Sequence, residues 1–347
     1  MTTAAKKQRA LVICPGRGTY NRPELGYLGR YHGQRSDLFE QFDALRGTDQ
    51  PTVTALDEAA TFSAKLHLHA TNAAPLIYSC AYADFQAINR DRFDIVGVTG
   101  NSMGWYIALA CAGALNATRG FELVSDMAAM TNSADLGGQL LYPNVGDDWR
   151  FDPELDARIQ PLLSATGENK RLYTSIRFGG YQVLAGTSAA IQHGAVTLPP
   201  TQERYPLILP GHSAFHTPLM KAASEQALQR FSPEFFAAPE VPMIDGRGHI
   251  WQPLGTDNRA LREYTLVHQV CETYDFSTAV VTAAKEFAPD VIILTGPGST
   301  MGGAVAQALI AEQWQQITNK DDFVQRQKKS PLLLAMGLDE QRNMVTR

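Results

Sequence analysis

Residues 93–104 read FDIVGVTGNSMG, an apolar run that ends in a turn with a glycine on each side of a serine. The apolar part, Phe93 to Thr99, has the valine and isoleucine content of a strand buried on both faces. The turn, Gly100 to Gly104, is a G-x-S-x-G pentapeptide, and helix-like sequence follows it from Trp105 to Leu115. Between a strand and a helix, this pattern is typical of a nucleophile elbow, which exposes the serine Oγ and directs the helix N-terminus at an oxyanion. The stretch therefore predicts Ser102 as a nucleophile.

Other apolar runs repeat this arrangement along the chain. They are Arg9 to Cys14, Tyr205 to Leu209, Val241 to Ile244 and Asp290 to Leu294. Longer helix-like segments separate them, at Asn72 to Ile88, Arg119 to Met130, Pro218 to Phe231, Asn258 to Val270, Ser277 to Phe287 and Met301 to Ile317. Strands that alternate with helices predict an α/β fold with a parallel sheet.

Residues 134–209 differ from the rest in being polar and rich in turns. They contain one strand candidate and two helical segments, which are Tyr181 to Ala185, Pro153 to Ser164 and Ser188 to Gly194. We predict a small inserted subdomain over residues 138–208. Residues 1–137 and 209–347 then form a discontinuous core.

Composition limits the class of protein. The chain has 347 residues, is 44% hydrophobic and 19% charged, and carries a net charge of −5, which argues against general nucleic-acid binding. No apolar run reaches the ~18 residues that span a bilayer, and the apolar stretch after the basic N-terminus is too short for a signal peptide. The four cysteines lack CxxC spacing and are expected to be reduced thiols. These features predict a cytoplasmic protein without a membrane span.

A serine nucleophile needs a base, and His216 is the candidate among the eight histidines. It lies in Ser213 to Met220 (SAFHTPLM), after a strand candidate and before a helix that Pro218 opens at its first turn. His212, four residues earlier, is the structural competitor.

Metal and nucleotide motifs are not recognisable. His67 and His69 are close in sequence but lack a third ligand of clear identity. Gly296-Pro297-Gly298 lacks the spacing of a dinucleotide-binding loop. Serine chemistry needs no metal, so we expect no cofactor.

Four segments resemble the malonyl-CoA:acyl-carrier-protein transacylases, the acyltransferase family of fatty acid and polyketide synthesis. Gly100 to Leu115 resembles the nucleophile segment of that family, and Ser213 to Met220 resembles its histidine loop closely. Cys14 to Thr19 (CPGRGT) is similar to its PGQGSQ loop, and Leu294 to Gly298 (LTGPG) to its VGPG turn. The resemblance extends over roughly residues 9–315.

The resemblance implies an α/β-hydrolase-like core with an inserted small ferredoxin-like subdomain, and an active site between the two. It also implies a Ser-His mechanism in which Ser102 takes an acyl group from coenzyme A, with His216 as general base and then general acid. The acyl group then passes to the phosphopantetheine thiol of an acyl carrier protein. The backbone N–H groups of Arg17 and Met103 match the oxyanion-hole positions of the family.

The sequence departs from the family where the acyl group is recognised. Members that take malonyl groups have an arginine on the helix after the nucleophile, and the gapless alignment puts Met127 there. Methionine is apolar and cannot pair a carboxylate, so we expect Met127 to line the acyl pocket and malonyl to be disfavoured. Arg17 replaces a glutamine of the PGQG loop. It either compensates for the missing arginine, or points to solvent, or meets the phosphates of coenzyme A.

Two more departures flank the nucleophile. Asn101 stands where the family usually has histidine, and Trp105 where it usually has glutamate. With Met127 and Phe215, they complete the predicted substrate pocket.

A third departure concerns the partner of His216. The segment Gln269 to Phe276 corresponds to the family's QL-x-x-PV(Q/R)W pattern, in which a backbone carbonyl orients the histidine. In this sequence the Gln/Arg position of that pattern is Asp275, whose carboxylate could complete a Ser-His-Asp triad. The alternatives are a surface residue or a cap for the next helix.

From these residues we expect an acyltransferase that moves an acyl group other than malonyl from coenzyme A to an acyl carrier protein. A thioesterase on the same scaffold, which hydrolyses the acyl thioester of an acyl carrier protein, is the alternative, and it differs in whether water reaches the acyl-serine. A non-catalytic partner subunit of an assembly line is the third hypothesis. The strained elbow argues against it, because an inactive protein has no physical need for one.

Overall fold

The computed structural model describes residues 6–131 and 136–347, which fold around two β-sheets. The strands of the larger sheet are β1 (Gln8–Cys14), β2 (Phe93–Gly100), β7 (Met243–Ile244), β8 (Ile250–Trp251), β10 (Val291–Leu294) and β11 (Leu333–Ala335). They lie in the order β11-β10-β1-β2-β7-β8, and all neighbours are parallel except β7 and β8. The parallel sheet and the α/β class predicted from the sequence are confirmed.

The centre of this sheet is buried on both faces. In β1, residues 10–14 are 0% exposed, and Val12 lies between Val98 of β2 and Ile293 of β10. Apolar residues at successive positions can be buried in this way only where helices cover both faces of the sheet.

Sixteen α-helices are present in the described part of the chain, and none is long and apolar enough to cross a membrane. They are α1 (Tyr27–His32), α2 (Ser36–Ala44), α3 (Val53–Asp57), α4 (Ala64–His67), α5 (Ala70–Ala87), α6 (Gly104–Cys111), α7 (Ala117–Met130), α8 (Pro153–Leu163), α9 (Ser188–Thr197), α10 (Lys221–Arg230), α11 (Asn258–Glu263), α12 (Gln269–Cys271), α13 (Phe276–Phe287), α14 (Met301–Ala311), α15 (Lys320–Lys329) and α16 (Asp339–Thr346).

The smaller sheet contains β3 (Gly138–Pro143), β4 (Tyr173–Phe178), β5 (Tyr181–Gly186), β6 (Leu207–Leu209) and β9 (Tyr274–Asp275). Its order is β6-β3-β5-β4-β9, and only the β4–β9 pair is parallel. Without β9, the chain order is β-α-β-β-α-β, the arrangement of a ferredoxin-like unit. The predicted boundaries at 138 and 208 stay a prediction, and residues 1–5 and 132–135 of the predicted core lie outside the described residues.

Several elements differ from the sequence prediction, among them the following two. Within the run Tyr205 to Leu209, only Leu207–Leu209 form a strand, which is β6 of the smaller sheet and is antiparallel to β3. The side chains of β6 remain partly or fully exposed. The helix predicted over residues 258–270 is interrupted by a π-helical turn, Tyr264–His268, so that α11 and α12 are separate.

The C-terminal residues complete the larger sheet. Strand β11 pairs in parallel with β10 and forms one edge of the sheet, and α16 follows it. From α16, Arg342 donates a hydrogen bond of 2.5 Å to the buried carboxylate of Asp84, which also accepts from the backbone N–H of Gly296 at 2.7 Å. This network ties the end of the chain to α5 and to the turn after β10.

Candidate active site

The G-x-S-x-G turn connects β2 to α6 and holds Ser102 in the left-handed region, with φ at 55°. Both glycines are required by close backbone approach. A Cβ on Gly100 would lie 2.2 Å from the backbone of Gly104, and a Cβ on Gly104 would lie 2.4 Å from the carbonyl oxygen of Cys14. The chain can turn this sharply only because neither position has a side chain.

His216 contacts the serine directly. Its Nε2 accepts a hydrogen bond from the Ser102 Oγ–H at 2.7 Å, although the two residues are 114 positions apart. The histidine is buried and has a φ of 61°, and its backbone N–H donates to the carbonyl of Val270 at 2.9 Å. The two side chains selected from the sequence as nucleophile and base therefore lie together.

The tautomer of His216 is set by Gln269. The Nδ1–H of His216 donates to the carbonyl oxygen of Gln269 at 2.5 Å, which leaves the lone pair on Nε2, facing Ser102. Burial lowers the pKa of His216 to about 4. The imidazole is therefore neutral at physiological pH and can accept the proton of the serine.

The side chain of Gln269 holds the same residue against the elbow. Its Nε2 donates to the carbonyl of Ser102 at 3.1 Å, and its Oε1 accepts from the hydroxyl of Tyr106 on α6 at 2.8 Å. The sequence analysis missed this residue, although it is the first of the segment compared with the family pattern. A backbone carbonyl leaves no signal in the side-chain pattern, so only the fold could identify it.

Asp275 does not occupy the position that a Ser-His-Asp triad needs. Its carboxylate accepts from the backbone N–H of Thr278 at 2.8 Å, which caps α13, and pairs with Arg177 at 3.0 Å. The residue lies on β9, where its backbone pairs with β4 at the edge of the smaller sheet. The interpretation of Asp275 as the partner of His216 is therefore corrected, because the carbonyl of Gln269 fills that position.

A cleft of about 350 Å³ opens above Ser102, between the larger sheet and the smaller one. Its walls come from the loop after β1, the elbow, the smaller sheet, the histidine loop and the first turn of α14. The lining residues include Arg17, Asn101, Ser102, Ile176, Val183, Leu209, His212, Phe215 and Met301. The cleft is open to solvent and reaches Ser102.

A second cavity, of about 40 Å³, lies on the other side of Ser102. Met127 and Phe215, which the sequence predicts to line the substrate pocket, line this cavity, and Met103 and Arg17 line it as well. The remaining lining side chains are predominantly apolar: Ala74, Tyr106, Val124, Ala128, Thr131 and Gln269. This volume admits a group of very few atoms.

The two departures beside the nucleophile lie in different places. Asn101 lines the cleft, and its side-chain Oδ1 is buried without a hydrogen-bond partner. Trp105 is fully buried and points away from the cleft, where its indole packs edge-on against Tyr264 and donates to the Thr265 hydroxyl at 3.0 Å. The assignment of Trp105 to the substrate pocket is thus corrected, because its side of α6 faces the π-helical turn.

Arg17 places a cation at the junction of the cleft and the small cavity, since it lines both. Its Nη2 donates to the carbonyl of Leu68 at 3.2 Å, while its Nε is buried without a partner. Burial lowers the pKa of Arg17 to about 10, so the guanidinium remains charged at neutral pH.

His67 and His69 make hydrogen-bond contacts with nearby residues of the fold. His67 is buried and its Nε2 contacts the carbonyl of Leu56 at 2.9 Å, whereas His69 is exposed and contacts the Thr71 hydroxyl. In residues 6–131 and 136–347, no three metal-ligating side chains are gathered into a metal site.

Comparisons with known proteins found relatives by sequence and by fold, although no protein-family model matches the chain. The malonyl CoA-acyl carrier protein transacylase of Salmonella typhimurium is 25% identical over 209 residues, which are 59% of this chain and 63% of that protein. The chain thus matches less than two thirds of the length of this relative.

Solved structures show the same fold at lower identity. The malonyl CoA-acyl carrier protein transacylase of Coxiella burnetii has a TM-score of 0.75 at 17% identity, covering 98% of each chain. A malonyl-transacylase in complex with its type II PKS acyl-carrier protein has a TM-score of 0.72 at 18% identity, covering 96% of this chain and 97% of that one. The chain is therefore similar in sequence, over part of its length, to a malonyl CoA-acyl carrier protein transacylase, and it shares the fold of solved transacylases of that kind.

Proposed function

We propose that the protein is an acyltransferase that moves an acyl group from coenzyme A to an acyl carrier protein through an acyl-Ser102 intermediate. One observation carries this proposal: the 2.7 Å contact between Ser102 Oγ and a neutral His216, whose other nitrogen is held by Gln269. This is the arrangement of a nucleophile, its base and the group that orients the base. The pathway, fatty acid or polyketide synthesis, is proposed from the same family relationship.

The first half-reaction forms the acyl-enzyme. His216 Nε2 takes the proton of Ser102 as Oγ attacks the thioester carbonyl carbon, and an oxyanion forms. The C–S bond then breaks, the acyl group stays on Oγ, and His216 returns the proton to the leaving thiolate of coenzyme A. We assign the oxyanion hole to the backbone N–H groups of Arg17 and Met103, which both line the small cavity beside Ser102.

The second half-reaction reverses these steps with a new thiol. The phosphopantetheine thiol of the carrier protein gives its proton to His216, and its sulfur attacks the ester carbonyl carbon. The C–Oγ bond breaks and Ser102 recovers the proton. The cleft leads to the serine from solvent, as a tethered thiol requires.

For the acyl group, we propose a short, uncharged chain. The small cavity has room for few atoms, and Met127 contributes an apolar surface to it. Beside Met127 a carboxylate would be desolvated, which costs several kcal/mol unless a cation pairs with it.

One observation favours a second candidate, an acyl group with a terminal carboxylate such as malonyl. Arg17 lines the same cavity, and the Nε of its guanidinium is buried without a partner. A carboxylate that reached this guanidinium would gain charge-assisted hydrogen bonds. The two candidates differ in which residue of the cavity, Met127 or Arg17, recognises the acyl group.

The test is to incubate the protein with acetyl-, butyryl-, octanoyl- and malonyl-CoA and to measure its intact mass. We expect a mass increase that is absent in Ser102→Ala and retained in the matched control Ser164→Ala, which removes an exposed serine of the smaller domain. Labelling of Ser102→Ala at the wild-type level would contradict the nucleophile assignment. A preference for malonyl that Arg17→Gln abolishes would select the second candidate.

Addition of holo acyl carrier protein then identifies the acceptor. Transfer of the label to the carrier faster than to water supports the transferase. Release mainly into water would instead indicate a thioesterase, and no acylation by any donor would indicate a non-catalytic partner subunit.

A further inference from the structure

Three hydrogen bonds connect the smaller sheet to the histidine loop, residues 212–216. The Nδ1–H of His212 donates to Gln139 Oε1, Gln139 Nε2 donates to Ser175 Oγ, and the Ser175 hydroxyl donates to the carbonyl of Phe215, each at 2.8 Å. Gln139 lies on β3 and Ser175 on β4, so both ends of the loop are held by side chains of the smaller sheet.

Ser175 reaches the loop because of a β-bulge. In the pairing of β4 with β5, Thr174 lies opposite Leu184 and Ile176 opposite the next residue, Val183, so Ser175 is the extra residue between them. A bulge changes the direction of a side chain relative to the regular ladder, and bulges are frequent beside active sites. Here it aims the Ser175 hydroxyl at Phe215.

The contact acts on the peptide group that precedes the catalytic histidine. Phe215 and His216 share one peptide unit, whose carbonyl accepts from Ser175 and whose N–H donates to Val270 of the core at 2.9 Å. His216 also has a positive φ, a conformation that a non-glycine residue keeps only when its surroundings enforce it. The smaller sheet supplies one of the two hydrogen bonds that enforce it.

The two members of this series that lie on the smaller sheet are buried. Gln139 is 3% exposed and Ser175 is 0% exposed, and each donor in the series has one acceptor. Loss of one member therefore leaves a buried polar group unpaired and frees the loop to shift.

We propose that Ser175 and Gln139 are positioning residues for His216, and that the smaller sheet thereby sets the geometry of the Ser102–His216 pair. This inference rests on the proposed function, because it concerns the rate of Ser102 acylation. A displacement of a catalytic group by about 1 Å can cost about a hundredfold in rate, so a partial loosening is expected to cost about tenfold.

The experiment compares Ser175→Ala with Ser79→Ala in single-turnover acylation by the acyl-CoA that labels the wild type best. Ser79 is a matched control, because its buried hydroxyl also donates to a carbonyl at 2.8 Å, but within α5. We expect Ser175→Ala to lower the acylation rate constant about tenfold with the half-saturating acyl-CoA concentration changed less than twofold. Ser79→Ala should acylate at the wild-type rate.

A double-mutant cycle adds a readout that a loss of stability alone does not produce. Gln139→Met breaks the same chain one bond earlier, so its effect on the rate should not add to that of Ser175→Ala. If Ser175→Ala does not fold, the acylation rate of Gln139→Met alone is compared with that of the wild type.

Equal acylation rates in wild type, Ser175→Ala and Gln139→Met would overturn the inference and leave the proposed function intact. Fully additive effects of the two variants would also overturn it. A wild-type protein that no acyl-CoA labels would instead contradict the proposed function itself.

Discussion

At the scale of single residues, the small cavity beside Ser102 is the acyl pocket of the proposed function, and its lining side chains would select the acyl group. Met127 lies there, 1% exposed, on the helix position where a carboxylate-binding arginine was expected from the family resemblance. Arg17 lines the same cavity. A cation introduced at residue 127 would therefore face the acyl chain.

We predict that Met127→Arg raises the ratio of malonyl to acetyl loading at least about tenfold, since a charge-assisted pair replaces an apolar contact. Intact-mass measurement after competition between the two acyl-CoAs gives the ratio, and Met127→Leu is the apolar control. An unchanged ratio in a folded Met127→Arg protein would mean that residue 127 does not contact the acyl chain.

The side chains of the candidate site could be predicted from the sequence, but the backbone group that contacts His216 could not. Ser102 and His216 each lie in a local motif, so neighbouring residues were enough to select them. Gln269 acts through its carbonyl, which every residue type has, and no pattern of side chains distinguishes it. The interpretation of Asp275 was wrong for a different reason. Its carboxylate has the chemistry that a triad needs and lies in the same segment as Gln269, but the direction of its side chain is set by its place on β9.

At the scale of secondary structure elements, Asp275 belongs to helix α13. It is the N-cap of that helix and pairs with Arg177, whose side chain is 56% exposed. Asparagine caps a helix about as well as aspartate, and an exposed ion pair contributes about 0–1 kcal/mol. We predict that Asp275→Asn acylates within twofold of wild type, and that Asp275→Ala loses about 0.5–2 kcal/mol of unfolding free energy.

Urea unfolding and the acylation rate, measured on both variants, check this prediction. A loss of acylation well beyond tenfold in Asp275→Asn, with unfolding unchanged, would restore the Ser-His-Asp interpretation.

Secondary structure was predicted correctly where a continuous apolar run marks a buried strand. It was predicted wrongly where contacts with distant residues determine the conformation. The runs that became β1, β2 and β10 are apolar on both faces and were recognised. The π-helical turn Tyr264–His268 has no such pattern. Its side chains are held by distant partners, with Thr265 accepting from Trp105 and the Tyr264 hydroxyl accepting from the backbone N–H of Gly246.

At the scale of the whole molecule, two buried neutral histidines make stability depend on pH. Burial lowers the pKa of His216 to about 4, and burial with the nearby Arg17 charge lowers the pKa of His212 to about 3. In the unfolded chain both titrate near 6.5. Below that pH the unfolded state binds more protons, so stability is complete above about 6.5 and falls as the pH decreases towards 4.

We predict that each imidazole removes about 1.4 kcal/mol of unfolding free energy per pH unit over this window. Urea unfolding at pH 7, 6 and 5 measures how the unfolding free energy changes with pH. The variant His212→Gln should lack the part of this change that His212 contributes. The slope would be absent, contrary to this expectation, if both histidines were protonated in the folded protein.

The strand order of the larger sheet also determines when the sheet can close as the protein is made. Strand β1 lies between β2 and β10, and the backbone N–H of Arg9 bonds to the carboxylate of Asp290, 281 positions later. At a synthesis rate of about 5–20 residues per second, β1 emerges on the order of half a minute before β10. During that interval an apolar strand has one edge unpaired, which is a template for aggregation. The nascent chain therefore depends on protection of this edge, by the ribosome or by a chaperone, until the second half of the molecule has been translated.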